Sequence, residues 1–127
     1  MTQTEAANHW IASAESNIPV AKDMFRMKHY DWSLFLWHLV IEKTLKGIIA
    51  KHGEVPLPIH DLRHLAAKTG LVFTEDQKAS LKEITTFNIE ARYEDYKRSF
   101  YKKATRVYAQ KWEKICEDFF IWFKQLI

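Results

Sequence analysis

The sequence holds a single cysteine, Cys116, and only three glycines and three prolines. One thiol excludes a disulfide framework and a Cys-based zinc site, and it fits a reducing compartment, so the expected location is cytoplasmic. So few turn formers exclude a many-stranded sandwich, while a hydrophobic share of 47% is too high for disorder. Residues 1–8 are polar and include Glu5, so they lack the basic start and apolar stretch of an export signal. The most apolar run, Trp32 to Ile41, is half the roughly 20 residues of a membrane-spanning helix and contains His38, so no membrane association is expected. Charge of one sign is also scarce. A formal net charge of +3 is too small by itself to argue for nucleic acid, and its distribution matters more.

What remains is helical periodicity on a chain of 127 residues, the size of one domain with one core, taken as residues 1–127. Thr4 is read as the N-cap of a first helix in which Ala7, Trp10, Ile11, Ala14 and Ile18 share a face. Pro19 predicts a kink near Asn17 rather than an end, because Val20, Met24 and Met27 continue the stripe to about Lys28. Asp31 is read as the cap of a second helix, apolar around most of its circumference, that ends near Gly53. Val55-Pro56-Leu57-Pro58 then forces an extended connection. A short third helix is predicted from Asp61 to Lys68, closed by Gly70. A fourth starts after Thr74, turns Leu81, Ile84 and Phe87 inward, and ends between Asn88 and Arg92. A fifth carries Ala104, Val107, Trp112, Ile115, Phe119 and Phe123. No strand pattern and no repeat is present, so the expected fold is all-α, an up-and-down bundle of four to five helices without a sheet.

Three segments carry a resemblance. Glu42-Lys43-Thr44-Leu45-Lys46 resembles a Glu-Lys-x-Leu-Lys segment on a second helix. His60-Asp61-Leu62 resembles a Thr-His-Asp-Leu start of a third helix, and Arg92-Tyr93-Glu94-Asp95 an Arg-Tyr-Pro-Asp segment after a fourth. In this order they are similar to the HEPN family (higher eukaryotes and prokaryotes nucleotide-binding). The resemblance implies a helical bundle, usually a homodimer, often encoded beside a minimal nucleotidyltransferase. Ile59 stands where the family prefers Thr, which leaves the third helix to be capped by another group such as Asp61, and Glu94 stands where Pro is usual.

In ribonuclease relatives an Arg and a following His form the active site, the His moving the 2′-hydroxyl proton and the Arg stabilising the phosphorane. Here Arg92 is present, but Lys97, Arg98 and Ser99 occupy the positions open to the His. A Lys with a pKa of about 10.4 is a poor base at neutral pH. The expectation is therefore a nucleotide- or RNA-binding module, or a nucleotidyltransferase partner, working as a homodimer without the usual catalytic pair, without cofactor or metal. The alternative is a toxin-type, metal-independent endoribonuclease using Arg92 with an atypical partner such as Lys97, Tyr96 or a distant His. Arg92 can equally form an ion pair with Glu90 or Asp95.

The basic segment holds Lys97, Arg98, Lys102, Lys103, Arg106 and Lys111 among Tyr93, Tyr96, Phe100 and Tyr101. Cations for phosphates and rings for bases suit a single-stranded nucleic acid, and a solvated helix face is the competing reading. The binding set is read as Arg92, Asp95, Lys97, Arg98, Lys102, Lys103 and Arg106, with Lys43 and His60 completing a polar cleft. His60 and His64, four apart, have metal-ligand spacing on one helix face but no third ligand, so a local network of His60 and Asp61 that anchors the proline loop is preferred. Glu42, Lys43 and Lys46 are read as a salt-bridged edge of the bundle, and His38 as a core or interface histidine. Trp10, Trp32, Trp37, Trp112 and Trp122 are enough large aromatics for a dimer surface as well as a core.

Overall fold

The structure is a computed structural model that describes residues 1–92 and 94–127, and side chains outside 89–95. The described residues form six α-helices and no strand: α1 Gln3–Arg26, α2 Tyr30–Lys51, α3 Leu62–Ala67, α4 Glu75–Arg92, α5 Glu94–Lys103 and α6 Arg106–Lys124. None of these helices is long and apolar enough to cross a membrane.

The bundle is built around α2, which packs against all the other helices. Its sequence requires this. From Thr44 to Ala50 seven consecutive residues are buried, a run of nearly two turns that takes in the whole circumference of the helix, so one neighbour could not cover them. Helix α1 supplies the closest neighbour through small residues, Ala7, Ala14 and Ala21, all fully buried. Gly47 of α2 lies against it so closely that an added Cβ would sit 3.3 Å from the Trp10 Cβ.

Helix ends follow local chemistry and correct three expectations. Thr2, not Thr4, caps α1: its hydroxyl accepts from the Glu5 amide at 3.1 Å and the Glu5 carboxylate accepts from the Thr2 amide at 3.3 Å. That reciprocal box needs a Glu or Gln at the third helical position, and Thr4 is followed there by Ala7. The helix runs unbroken through Pro19 but stops at Arg26, because Lys28 adopts φ +66°. Its late stripe passes through buried Ala21, while Val20 and Met27 are exposed. Asp31 does not cap α2 either; His29 holds the cap position and Asp31 lies in the first turn, where its charge faces the helix dipole.

Asp61 caps α3 by accepting from the Arg63 and His64 amides at 3.0 and 3.3 Å, and Gly70 at φ +78° turns the chain after it, both as the sequence predicts. Helix α5 extends the expected set. It is separated from α6 by Ala104 and by Thr105, whose hydroxyl accepts from the Tyr108 amide at 3.2 Å as the α6 cap. Phe100 stacks on Phe87 of α4 with ring centres 5.8 Å apart, and Phe87 meets Trp112 of α6 edge-on at 5.9 Å, so one aromatic cluster joins α4, α5 and α6.

Candidate nucleic-acid interface

Lys97 and Tyr101 lie one turn apart on α5, as do Arg98 and Lys102, which puts them in two adjacent rows. All four side chains are exposed, as is Tyr96, whereas Phe100 between them is buried and fixes the helix to the bundle. Facing this helix is the first turn of α2, where Trp32 is 46% exposed and packs edge-on against Phe35 at 6.1 Å. Asp31, Trp32, Lys97, Arg98, Phe100 and Tyr101 together line a cavity of about 270 Å³. The cavity thus combines two cations, one carboxylate and two exposed aromatic rings over an aromatic floor. A larger cavity of about 610 Å³ between α3 and the start of α4 has Arg63, His64 and Lys78 at its rim, but its walls are mostly aliphatic.

Lys103 ends the same helix in a different setting. Its ammonium donates to Glu83 Oε1 at 2.7 Å and lies 5.4 Å from the centre of the Tyr108 ring, whose hydroxyl donates to the same oxygen at 2.8 Å. Burial pushes the Glu83 carboxyl up, but hydrogen bonds from Lys103 and Tyr108 and the Lys103 charge outweigh it and hold the group below the ordinary glutamate range. Lys103 is therefore a strut between α5 and α4. Because the folded value is depressed, this tie contributes stability above the unfolded value and loses it as pH falls through the folded one. Glu83→Gln is expected to flatten the stability curve below about pH 4.5, read as urea midpoints against pH; an unchanged acid slope would remove Glu83 from the account. Arg106 is exposed at the start of α6, past the break.

Lys43 and His60 lie elsewhere. Lys43 is on α2, and His60, in the connection before α3, meets Glu42 of α2, ten residues past Trp32 and roughly 15 Å along the helix axis at 1.5 Å per residue. Lys43 donates to Asn17 Oδ1 at 2.7 Å, and burial pulls its pKa down against the raising effect of Glu42. Glu42 and Lys46 do pair, at 3.3 Å, but they are 5% and 6% exposed, so the expected edge of the bundle is an internal ion pair. His60 Nδ1 donates to Glu42 Oε1 at 2.7 Å, and the fully buried His38 donates through Nε2 to the His60 carbonyl at 3.0 Å. Trp10 covers the far side of the Lys46 ammonium, 5.5 Å from its ring centre. The connection over residues 52–61 is thereby clipped onto α2. His60 precedes α3 instead of sharing a helical face with His64, and the described residues contain no cluster of three metal-ligating side chains. The side chains of Arg92 and Asp95, and of Glu90 offered as an ion-pair partner for Arg92, lie outside the described residues.

The family model for the HEPN domain matches residues 7–126. The chain belongs to the HEPN domain family. At that level it is a nucleotide- or RNA-related module, and HEPN domains generally dimerise. No curated protein matches the chain. A solved structure, that of TT1696 from Thermus thermophilus, is similar to this HEPN domain with a TM-score of 0.83 and 21% identity, over 95% of this chain and 98% of that one. The shared feature is the fold.

Two of the three segments that carry the resemblance meet in the Glu42 network, one giving Glu42 and Lys46, the other His60. In this HEPN domain they hold a loop to the central helix. The sequence reading missed the cavity at Trp32, although a signal existed. Trp32 is out of phase with the buried positions Leu34, Trp37, Ile41 and Leu45, so a large ring was placed on the side of α2 that the core does not use.

Proposed function

We propose that this HEPN domain is a homodimeric module that binds nucleotide or single-stranded RNA through α5 and the start of α6, the alternative being a partner module for a minimal nucleotidyltransferase. The observation that carries the reading is the pairing on α5 of exposed cations, Lys97, Arg98 and Lys102, with exposed rings, Tyr96 and Tyr101, beside Trp32. Phosphates neutralised by cations and bases stacked on rings need this combination, and one helix anchored by a single buried Phe presents it to solvent. Arg106 extends the positive surface beyond the α5 end. Arg92 and Asp95 belong to the proposed surface by their place at the junction of α4 and α5.

The test is binding of labelled single-stranded RNA in chelator over a salt series. Affinity is expected to fall steeply with salt, and Arg98→Ala or Lys102→Ala should each reduce the log–log slope by about 0.7, the value for one phosphate contact on a single strand. Salt-insensitive binding, or slopes unchanged in both variants, would overturn the reading. The RNA is expected to stay intact, since no His stands at 97–99 to move the 2′-hydroxyl proton.

A further inference from the structure

The cavity between α2 and α5 contains a group that phosphate binding does not need. Asp31 is half-buried in its wall, beside Lys97 and Arg98, and a carboxylate there opposes the approach of a phosphate. Among the described residues Asp31 has no hydrogen-bond or ion-pair partner that would explain it as part of the frame. Its oxygens are acceptors, side by side, and match a ligand that offers two adjacent donors. Of the four bases, guanine alone does so on its Watson–Crick edge, through N1–H and the N2 amino group. Adenine, cytosine and uracil each place an acceptor beside the donor, which would face the carboxylate lone pairs.

The remaining walls fit the rest of a nucleotide. Trp32 and Tyr101, 46% and 66% exposed, offer aromatic faces, and Phe100, 1% exposed, closes the floor. Arg98 and Lys97 supply the positive charge. A volume of about 270 Å³ is at the small end of ligand pockets, suited to one base and not to a strand. We infer that this cavity takes a single unpaired guanine nucleotide, its base against Trp32 and Tyr101, its Watson–Crick edge donating to Asp31, and its phosphate on Arg98 and Lys97. The inference rests on the nucleic-acid reading above and adds base selectivity to it.

The experiment is calorimetric titration of the full chain with GMP, AMP, CMP, UMP, deoxy-GMP and inorganic phosphate, alongside the RNA salt series. GMP and deoxy-GMP are expected to bind about ten- to a hundredfold more tightly than the other nucleotides, the discrimination typical of a bidentate base contact. Asp31→Asn should abolish that preference for guanine over the other bases. Equal affinity for the four ribonucleotides, with RNA still bound in a salt-sensitive way, overturns the guanine pocket and leaves the binding module standing. Weakening by the missing 2′-hydroxyl without base preference also overturns it, assigning Asp31 to the ribose. Absence of both nucleotide and RNA binding overturns the two readings together. The comparison among bases uses the unaltered protein, so it holds even if the variant folds poorly.

Discussion

Glu42→Ala is expected to destabilise the domain by about 3–5 kcal/mol, the cost of breaking a buried ion pair by removing one partner. The pair is inside the bundle, with both residues near 5% exposed, so solvent cannot replace the lost carboxylate. The Lys46 ammonium would keep only the Trp10 face, and His60 would lose the acceptor that fastens the 52–61 connection. In a domain of this size the melting point should fall on the order of 10 °C or more. Urea unfolding of three proteins tests the cause: wild type, Glu42→Ala, and Glu42→Met with Lys46→Met. The double variant should regain much of the loss, because replacing both charges by apolar groups of similar volume leaves nothing buried and unpaired. A double variant as unstable as the single one would show that shape or the His60 contact, not the stranded charge, sets the cost.

Phe87→Ala should cost a similar amount, about 3–5 kcal/mol for a buried Phe, and should act on binding as well. Phe87 is fully buried and touches Phe100, Tyr108 and Trp112, so its removal opens a hole where α4, α5 and α6 join. Helix α5 depends on that junction more than any other element does, since Phe100 is its buried aromatic and the Lys103 tie to Glu83 is exposed. Hydrogen exchange in α5 should therefore accelerate more than in α1 or α2, and affinity for RNA should fall even at temperatures where the bundle is folded. Uniform acceleration across all helices would mean that the cluster serves global stability alone.

The all-α fold was legible because its determinants are local. The spacing of Ala7, Ile11 and Ala14, the cap at Asp61 and the turn at Gly70 are set by residues close in sequence, and they appear where they were expected. Helix α5 was not legible as a separate element, because a periodicity argument needs an apolar stripe and this helix buries Phe100 while exposing Tyr96 and Tyr101. The Glu42 network was invisible for the opposite reason. Charged residues one turn apart normally mark a wet face, and only the arrival of Trp10 from α1 and His60 from the proline connection buries them. Lys43 and His60 were grouped with the basic segment on residue type, whereas the axis of α2 separates them from Trp32. Within the basic segment, sequence order could not distinguish Lys103, turned onto Glu83 and Tyr108, from Lys102, which is exposed.

The single buried ring that seats α5 has a further consequence. Among the described residues α5 is seated by Phe100 and by the ion pair of Lys103 with Glu83, and it is expected to exchange between seated and lifted arrangements more readily than the helices around α2. Only the seated form completes the Trp32 cavity, so observed affinity equals intrinsic affinity scaled by the seated fraction. A ligand in the cavity would then act in return as a latch, and the first sign of a bound nucleotide should be the quieting of amides along the whole of α5, including those of residues the ligand does not touch.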